Sequence, residues 1–260
     1  VGDRLRLIYS EPGDGGRCGA RWNMALDRTL FEGIRAGTTP PTQRLYGWSP
    51  PAITLGYFQP AEMIDAAACS RHGVAVVRRP TGGGAVFHYG DLTGCLVAPG
   101  ELLPRGIRES YRVLSEAHAG ALTAHGIKAA AGSGSAPLPR RLRPGYDCFA
   151  RLTECDVGVA GVKIAGSAQR RKDGGLLHHT SIVWEPQPAG LLAELLPGAA
   201  DVGSPCSVIE LAPETERRKF ALELARRVAG ALDLELYEGD PSAEELARAE
   251  DLARELTLEA

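Results

Sequence analysis

Lysine is almost missing from this chain of 260 residues: Lys128, Lys163, Lys172 and Lys219 are the only four among 29 Lys and Arg. Any role that needs an ammonium group therefore falls on one of four positions. Net positive charge is missing as well. The formal net charge is −3 at pH 7, which argues against a broad nucleic-acid-binding surface. No apolar run approaches the roughly 18 residues of a membrane helix. Val1-Gly-Asp-Arg4 has no apolar signal-peptide core, so a cytoplasmic chain with no membrane association is expected. No two of Cys18, Cys69, Cys95, Cys148, Cys155 and Cys206 have Cys-x-x-Cys spacing. That speaks against a zinc knuckle or a thioredoxin-like redox site, and no metal is expected. In a reducing compartment most of these thiols should be buried small hydrophobes, with room for one reactive group.

What is present is an ordinary globular composition, 44% hydrophobic and 23% charged, without an internal repeat. Leu5–Tyr9 alternates like a strand. From Asn23 a helical pattern sets Leu26, Leu30, Phe31 and Ile34 on one side and stops before Gly37. Arg44–Trp48 and Ala52–Tyr57 read as paired strands about Ser49-Pro-Pro51, and Val74–Arg78 as a buried strand. Gly84–His88 and Leu92–Ala98 read as a further pair across Tyr89-Gly-Asp91. Helical spacing returns from Arg108 to His125 and ends at Gly126. The Gly/Ser/Pro/Arg stretch from Ala129 to Gly145 has no period and reads as a mobile loop. Cys155–Ala160, Val162–Ala168 and Leu176–Trp184 form an expected meander with Arg170–Gly175 as a turn. Glu216–Leu232 and a last helix capped by Ser242-Ala-Glu-Glu245 close the chain. Strands in the middle with helices flanking them, in no strict alternation, predict an α+β fold.

Three segments could carry chemistry. Arg78-Arg-Pro-Thr-Gly-Gly-Gly-Ala-Val-Phe-His88 contains three glycines in a row, which let backbone N–H groups converge on an anion while two arginines add positive charge. A plain tight hairpin gives the same string. Lys163 sits in Gly161–Gln169, a strand of small and apolar residues, so its ammonium needs a local partner. A snorkelling edge lysine is the simpler alternative. His178 and His179 would face opposite sides of a strand. Cys148 follows the loop, fifteen positions before Lys163. A nearby ammonium would raise its thiolate fraction severalfold or more, giving a nucleophile that needs no histidine base.

In order along the chain, Trp22-Asn-Met-Ala-Leu-Asp27, Arg44-Leu-Tyr-Gly-Trp-Ser49, Leu55-Gly-Tyr-Phe-Gln59, the Arg-Arg-Pro-Thr-Gly-Gly-Gly segment and the Lys163 strand resemble the biotin/lipoate protein ligase and octanoyltransferase superfamily. Asp147-Cys-Phe149, Gly161–Gln169 and the helical ending from Glu244 resemble most the octanoyltransferases that serve the glycine cleavage H protein. The resemblance covers about residues 5 to 258. It implies a mixed, largely antiparallel sheet flanked by helices, the ligase catalytic-domain fold, as a single domain over 1–260 with a short helical tail at about 240–260.

The resemblance also implies a reaction. Octanoyl arrives as a thioester on acyl carrier protein, passes to Cys148, and ends as an amide on a lysine of a lipoyl-acceptor domain such as H protein. Cys148 is carried over as nucleophile and Lys163 as the group that lowers its pKa. Arg79, Thr81, Gly82, Gly83, Gly84, His88, Gly166, Ser167 and His179 are carried over as substrate-binding positions. No cofactor is implied. Departures from that branch are Gly84 in place of arginine, Tyr89 in place of aspartate and Thr180 in place of glycine. Gly84 restores the triple glycine typical of ATP-dependent lipoate ligases, for which ATP and Mg²⁺ would be required. An amidotransferase between acceptor proteins is a sibling possibility, a non-catalytic lipoate- or biotin-binding regulator a third. Cys206, in Pro205-Cys206, is an alternative nucleophile by likeness to another octanoyltransferase branch.

Overall fold

The computed structural model describes residues 3–11, 17–132, 149, 152–188, 190–197 and 205–256. The chain opens with β1 (Arg4–Ser10), α1 (Ala20–Ala36), β2 (Thr42–Tyr46) and β3 (Ala52–Leu55). Then come α2 (Ala66–Arg71), β4 (Ala75–Arg78), β5 (Val86–His88) and β6 (Leu92–Pro99). After α3 (Ile107–Ala124) follow β7 (Ala129–Ala131), β8 (Val157–Val159), β9 (Val162–Lys172) and β10 (Gly175–Ile182). The last elements are α4 (Leu191–Leu195), α5 (Val208–Leu211), α6 (Arg217–Ala231), β11 (Glu235–Glu238) and α7 (Ala243–Glu255).

The strands form an eight-stranded sheet, β11-β1-β2-β6-β10-β9-β8-β7, and a three-stranded one, β4-β3-β5. Pairing in the large sheet is parallel at β11/β1 and β1/β2 and antiparallel elsewhere. The two-residue period of a strand splits the core into two layers. On one face Leu92, Leu96, Leu176 and Ile182 pack against Leu114 and Leu122 of α3 and Phe220, Leu224 and Val228 of α6. On the other, Tyr46, Cys95, Val97 and Leu177 meet Leu26, Leu30 and Phe31 of α1, with Ala52 and Val77 of the small sheet. The expected α+β class, mixed sheet and flanking helices are those observed.

Local signals set the ends of the elements. Gly37 adopts the left-handed conformation, φ 73°, that closes α1. Glu245 completes the capping box with Ser242 at the start of α7. Its other oxygen accepts from buried Arg6 and Thr39, both at 2.8 Å, fastening α7 to β1. Asp173 and Gly174, both at positive φ, make a two-residue hairpin turn, so β9 extends to Lys172 and the expected Arg170–Gly175 turn shrinks to two residues.

Two expected hairpins are corrected. β2 and β3 are consecutive strands of different sheets, as are β5 and β6. Every residue of β2 and of β3 is buried. A strand so enclosed needs a partner on each edge: β2 has β1 and β6, and β3 has β4 and β5. The intervening turns carry the chain from one sheet to the other. The loop expected from Ala129 starts later, because Ala129–Ala131 pair with β8 as the edge strand β7. The rest of that loop, from 133 on, lies outside the described residues.

Candidate active site

A pocket opens between the small sheet and the α1 face of the large one. Met24, Tyr46, Trp48, Val86 and Phe149 make its apolar wall; Thr54, Arg79, His88, Thr93, His179 and Ser181 supply polar groups. Gly166 and Ser167 of β9 and Thr180 of β10 also line it, and the Ser167 and Thr180 hydroxyls lie 2.9 Å apart. Arg79, His88, Gly166, Ser167 and His179, scattered over a hundred positions of sequence, are thus brought together.

Beneath the pocket lies an ion network that joins two of the sequence motifs. Asp27 of α1 is fully buried; its Oδ1 accepts from Arg44 at 2.8 Å. Its Oδ2 accepts from the Tyr46 hydroxyl at 2.6 Å and His179 Nε2 at 3.1 Å. Burial alone would raise the carboxyl pKa, but Arg44, His179 and Tyr46 outweigh it and hold the group below its usual range. His179 Nδ1 lies 3.1 Å from the Thr81 hydroxyl, so one imidazole ties α1 to the entry of the glycine loop. Asp27, Cys95 and His179 place potential ligand atoms within 4.8 Å of one another. Both carboxylate oxygens already serve Arg44, Tyr46 and His179, so a cation there would have to displace a buried guanidinium.

A second network fixes His88. Its ring stacks on Trp48 with centroids 4.0 Å apart, Nδ1 donates to Asp91 at 2.8 Å and Nε2 lies 2.9 Å from the Thr54 hydroxyl. Asp91 Oδ2 also accepts from Thr93 at 2.8 Å and Ser181 at 2.7 Å. Against the upward push of burial, His88, Ser181 and Thr93 keep the Asp91 carboxyl below its ordinary value. Nothing in the sequence pattern marked Asp91; its position in a Tyr-Gly-Asp turn read as turn chemistry.

The two arginines before the glycines fasten backbone. Arg79, buried, donates to the carbonyls of Thr54 at 2.9 Å, Gly82 at 2.7 Å and Gly84 at 2.6 Å. Arg78 donates to the carbonyls of Gly56 and Tyr57, at 3.0 and 3.4 Å, and to that of Gln59. In a trans peptide C=O and the next N–H point opposite ways, so fastening the Gly82 and Gly84 carbonyls turns the N–H groups of Gly83 and Ala85 away from Arg79. Gly83 has φ 93°, open only to glycine without strain. A Cβ on Gly56 would stand 2.0 Å from the Gly83 carbonyl oxygen, whereas one on Gly82 would meet nothing within 4 Å. Gly56→Ala is therefore expected to cost about 2–3 kcal/mol by overpacking and to displace the loop, while Gly82→Ala stays close to wild-type stability. Urea unfolding midpoints of the two variants compare them directly.

Lys163 has the local partner its strand required. Nζ lies 2.9 Å from Asp156 Oδ1, both side chains almost wholly buried, and Asp156 Oδ2 accepts from the Thr153 N–H and hydroxyl, both at 2.8 Å. The end of the lysine chain runs along Gly166: a Cβ there would be 2.6 Å from Cε and 2.8 Å from Nζ. Nζ also sits 5.2 Å from the centre of the Phe149 ring, a residue of the pocket wall. The lysine thus abuts the pocket at two of its lining residues.

Cys148, the residue before Phe149 in the chain, lies outside the described residues. The other five thiols are accounted for. Cys18 donates to the Glu11 carbonyl at 2.9 Å. Burial pushes Cys69 and Cys155 up to about 11, with nearby acidic groups adding to it. Burial raises Cys95 well above its ordinary value, and Asp27 adds to it. Cys206 is raised by burial too, and its Sγ lies 4.0 Å from the Lys163 carbonyl oxygen, among neither set of pocket-lining groups. His178 points to the opposite face from His179, as the strand period requires. It packs near His118 and Tyr111, and burial, with His118 and His179, drives its pKa well below 6.5.

The architecture is an α+β fold already seen in solved structures. That of protein Ta0514 from T. acidophilum with bound lipoic acid superposes with a TM-score of 0.78, covering 98% of this chain and 95% of that one at 22% identity. By its sequence the chain belongs to the lipoyl protein ligase A/B catalytic domain family, whose model matches residues 19–215. Among relatives, octanoyltransferase LipM of Symbiobacterium thermophilum is 42% identical over 165 residues, 62% of this chain and 60% of that protein. Octanoyltransferase LipM of Kyrpidia tusciae is 38% identical over 197 residues, 73% and 69% of the two. The match to the first thus spans less than two thirds of that relative's length. No helix among the described residues is long and apolar enough to cross a membrane.

Proposed function

We propose that the protein is an octanoyltransferase of protein lipoylation, moving octanoyl from acyl carrier protein to a lysine of a lipoyl-acceptor domain of the glycine cleavage H protein type. The observation that carries this reading is the placement of the buried Lys163 ammonium against Phe149 and Gly166 of an apolar pocket, with Cys148 next to Phe149 in the chain. The LipM relatives add to it.

On this reading the octanoyl chain lies along Met24, Trp48 and Val86. The Cys148 thiolate, favoured by the Lys163 charge, attacks the thioester carbonyl, and the carrier thiol leaves as thiolate once the tetrahedral intermediate collapses. The N–H groups of the glycine loop face the developing oxyanion. The amine of the acceptor lysine then attacks the Cys148 thioester, loses a proton, and departs as the octanoyl amide while the thiolate is regenerated. His88 and His179 hold the pocket wall in register through Asp91 and Asp27. The balance needs neither nucleotide nor metal. The raised pKa values of Cys69, Cys95, Cys155 and Cys206 support Cys148 as the thiol used.

Intact mass after incubation with octanoyl carrier protein tests the reading. Wild type is expected to gain about 126 Da, the mass of an octanoyl group replacing a thiol hydrogen, and Cys148→Ala to gain nothing and to transfer nothing to apo acceptor. Full transfer by Cys148→Ala overturns it, as does strict dependence on ATP and Mg²⁺ with free octanoate, which identifies a ligase instead. Adduct retained in Cys148→Ala but lost in Cys206→Ala moves the nucleophile to Cys206.

A further inference from the structure

Beside the pocket runs a second, wider concavity between α1, the Tyr57 turn and the end of β9, sharing Met24 and Arg79 with it. Its remaining charged lining is Arg28, Arg35, Arg78, Arg170 and Lys172 against one carboxylate, Glu32. In a chain of net charge −3 this is a local reversal of sign, and it gathers one of the four lysines. We infer that this groove holds the phosphate of a phosphopantetheine arm borne by the carrier protein, so that the thioester at the arm's other end reaches the pocket; the inference rests on the acyl-transfer reading above.

The chemistry of the lining favours a phosphate. Arg28 pairs with Glu32 at 2.8 Å, with side chains 48% and 31% exposed, and Arg35 pairs with Asp173 at the surface. Partly exposed pairs of this kind contribute little, so they open to a charge-dense anion. Lys172 is exposed and has no partner among the described residues. Arg170 is aimed by its bond to the Pro80 carbonyl at 2.9 Å and by its place over the Tyr57 ring, 4.8 Å from the centre. Planar guanidinium groups match phosphate oxygens in pairs. A groove, rather than a flat patch, suits a slender arm. The protein-borne source is favoured by Phe58, 85% exposed and edge-on to Tyr57 at 4.9 Å. An exposed aromatic beside arginines is the usual anchor of a protein contact.

The test compares three octanoyl thioesters as donors: carrier protein, phosphopantetheine and pantetheine, the last lacking phosphate. Arg28→Gln combined with Lys172→Gln is expected to raise KM for the first two donors about tenfold relative to the change for the third, with thermal unfolding checked in parallel. An unchanged ratio of KM values in a folded variant overturns the groove. Octanoyl-coenzyme A used by wild type with a KM at or below that of the carrier protein overturns the protein-borne source. Absence of transfer from every donor by wild type instead overturns the acyl-transfer reading itself.

Discussion

On the acyl-transfer reading, replacing Lys163 by methionine is expected to lower octanoyl transfer by about two orders of magnitude, the size of effect that losing one preorganised stabilising group has. The same substitution should destabilise the fold, because it leaves the Asp156 carboxylate buried without its counter-ion, 2.9 Å from where Nζ was. Removing one partner of a buried pair costs about 3–5 kcal/mol. Lost activity alone therefore does not separate chemistry from folding, but a second substitution does. In Lys163→Met with Asp156→Asn the uncompensated charge is gone, and the asparagine oxygen still accepts from Thr153 as Asp156 Oδ2 does at 2.8 Å. Most of the stability should return while transfer stays about a hundredfold down. Urea unfolding and single-turnover acyl transfer on wild type, both single variants and the double variant form the complete cycle. Recovery of activity together with stability would show that Lys163 only fills its site.

Periodicity made most of the large sheet readable in advance. β1, β9, β10 and the helices α1, α3 and α6 follow from alternation or helical spacing, with Gly37 and Gly126 marking the ends of α1 and α3. Sheet membership did not follow. Turn residues between β2 and β3, and between β5 and β6, announce a reversal, yet a reversal inside one sheet and a crossing between two sheets use the same residues. Only the structure separates the two, with every residue of β2 and β3 buried and each strand paired on both edges.

The site was legible in the same uneven way. Lys163 stood out because a cation in a strand of small residues must be paired, and Asp156 is that pair. Asp156 itself was invisible, since one acidic residue before a strand carries no pattern. Asp27 and Arg44 were seen only as parts of motifs, seventeen positions apart. Their meaning is three-dimensional: α1 lies on the face of the sheet where β2 presents Arg44 and Tyr46, and β10 brings His179 from more than 150 positions away. Arg78 and Arg79 were legible as positive charge beside the glycines, but their hold on the backbone was not. A guanidinium beside a run of glycines finds many carbonyl oxygens near it, and a buried one must use them.

The Asp27 network carries a second large stability effect. Asp27→Ala is expected to cost about 3–5 kcal/mol at neutral pH, because it leaves the fully buried guanidinium of Arg44 without its carboxylate. It also frees the Tyr46 hydroxyl and His179 Nε2. His179 then keeps only Thr81, so the entry of the glycine loop should loosen and acyl transfer fall with stability. Asp27→Asn, which keeps an acceptor for Arg44, should cost less. The ionic origin gives the effect a pH signature. The folded carboxyl titrates below the 3.8 of the free group, so between the two values the unfolded chain binds the proton and the folded one does not. Stability from Asp27 is thus complete above about pH 3.8 and declines as pH falls through the lower folded value. The gap in unfolding free energy between wild type and Asp27→Ala should be constant from pH 7 to 5 and narrow below about pH 4. A gap that stays constant into that acid range would assign the loss to the cavity left by the side chain instead of to its charge.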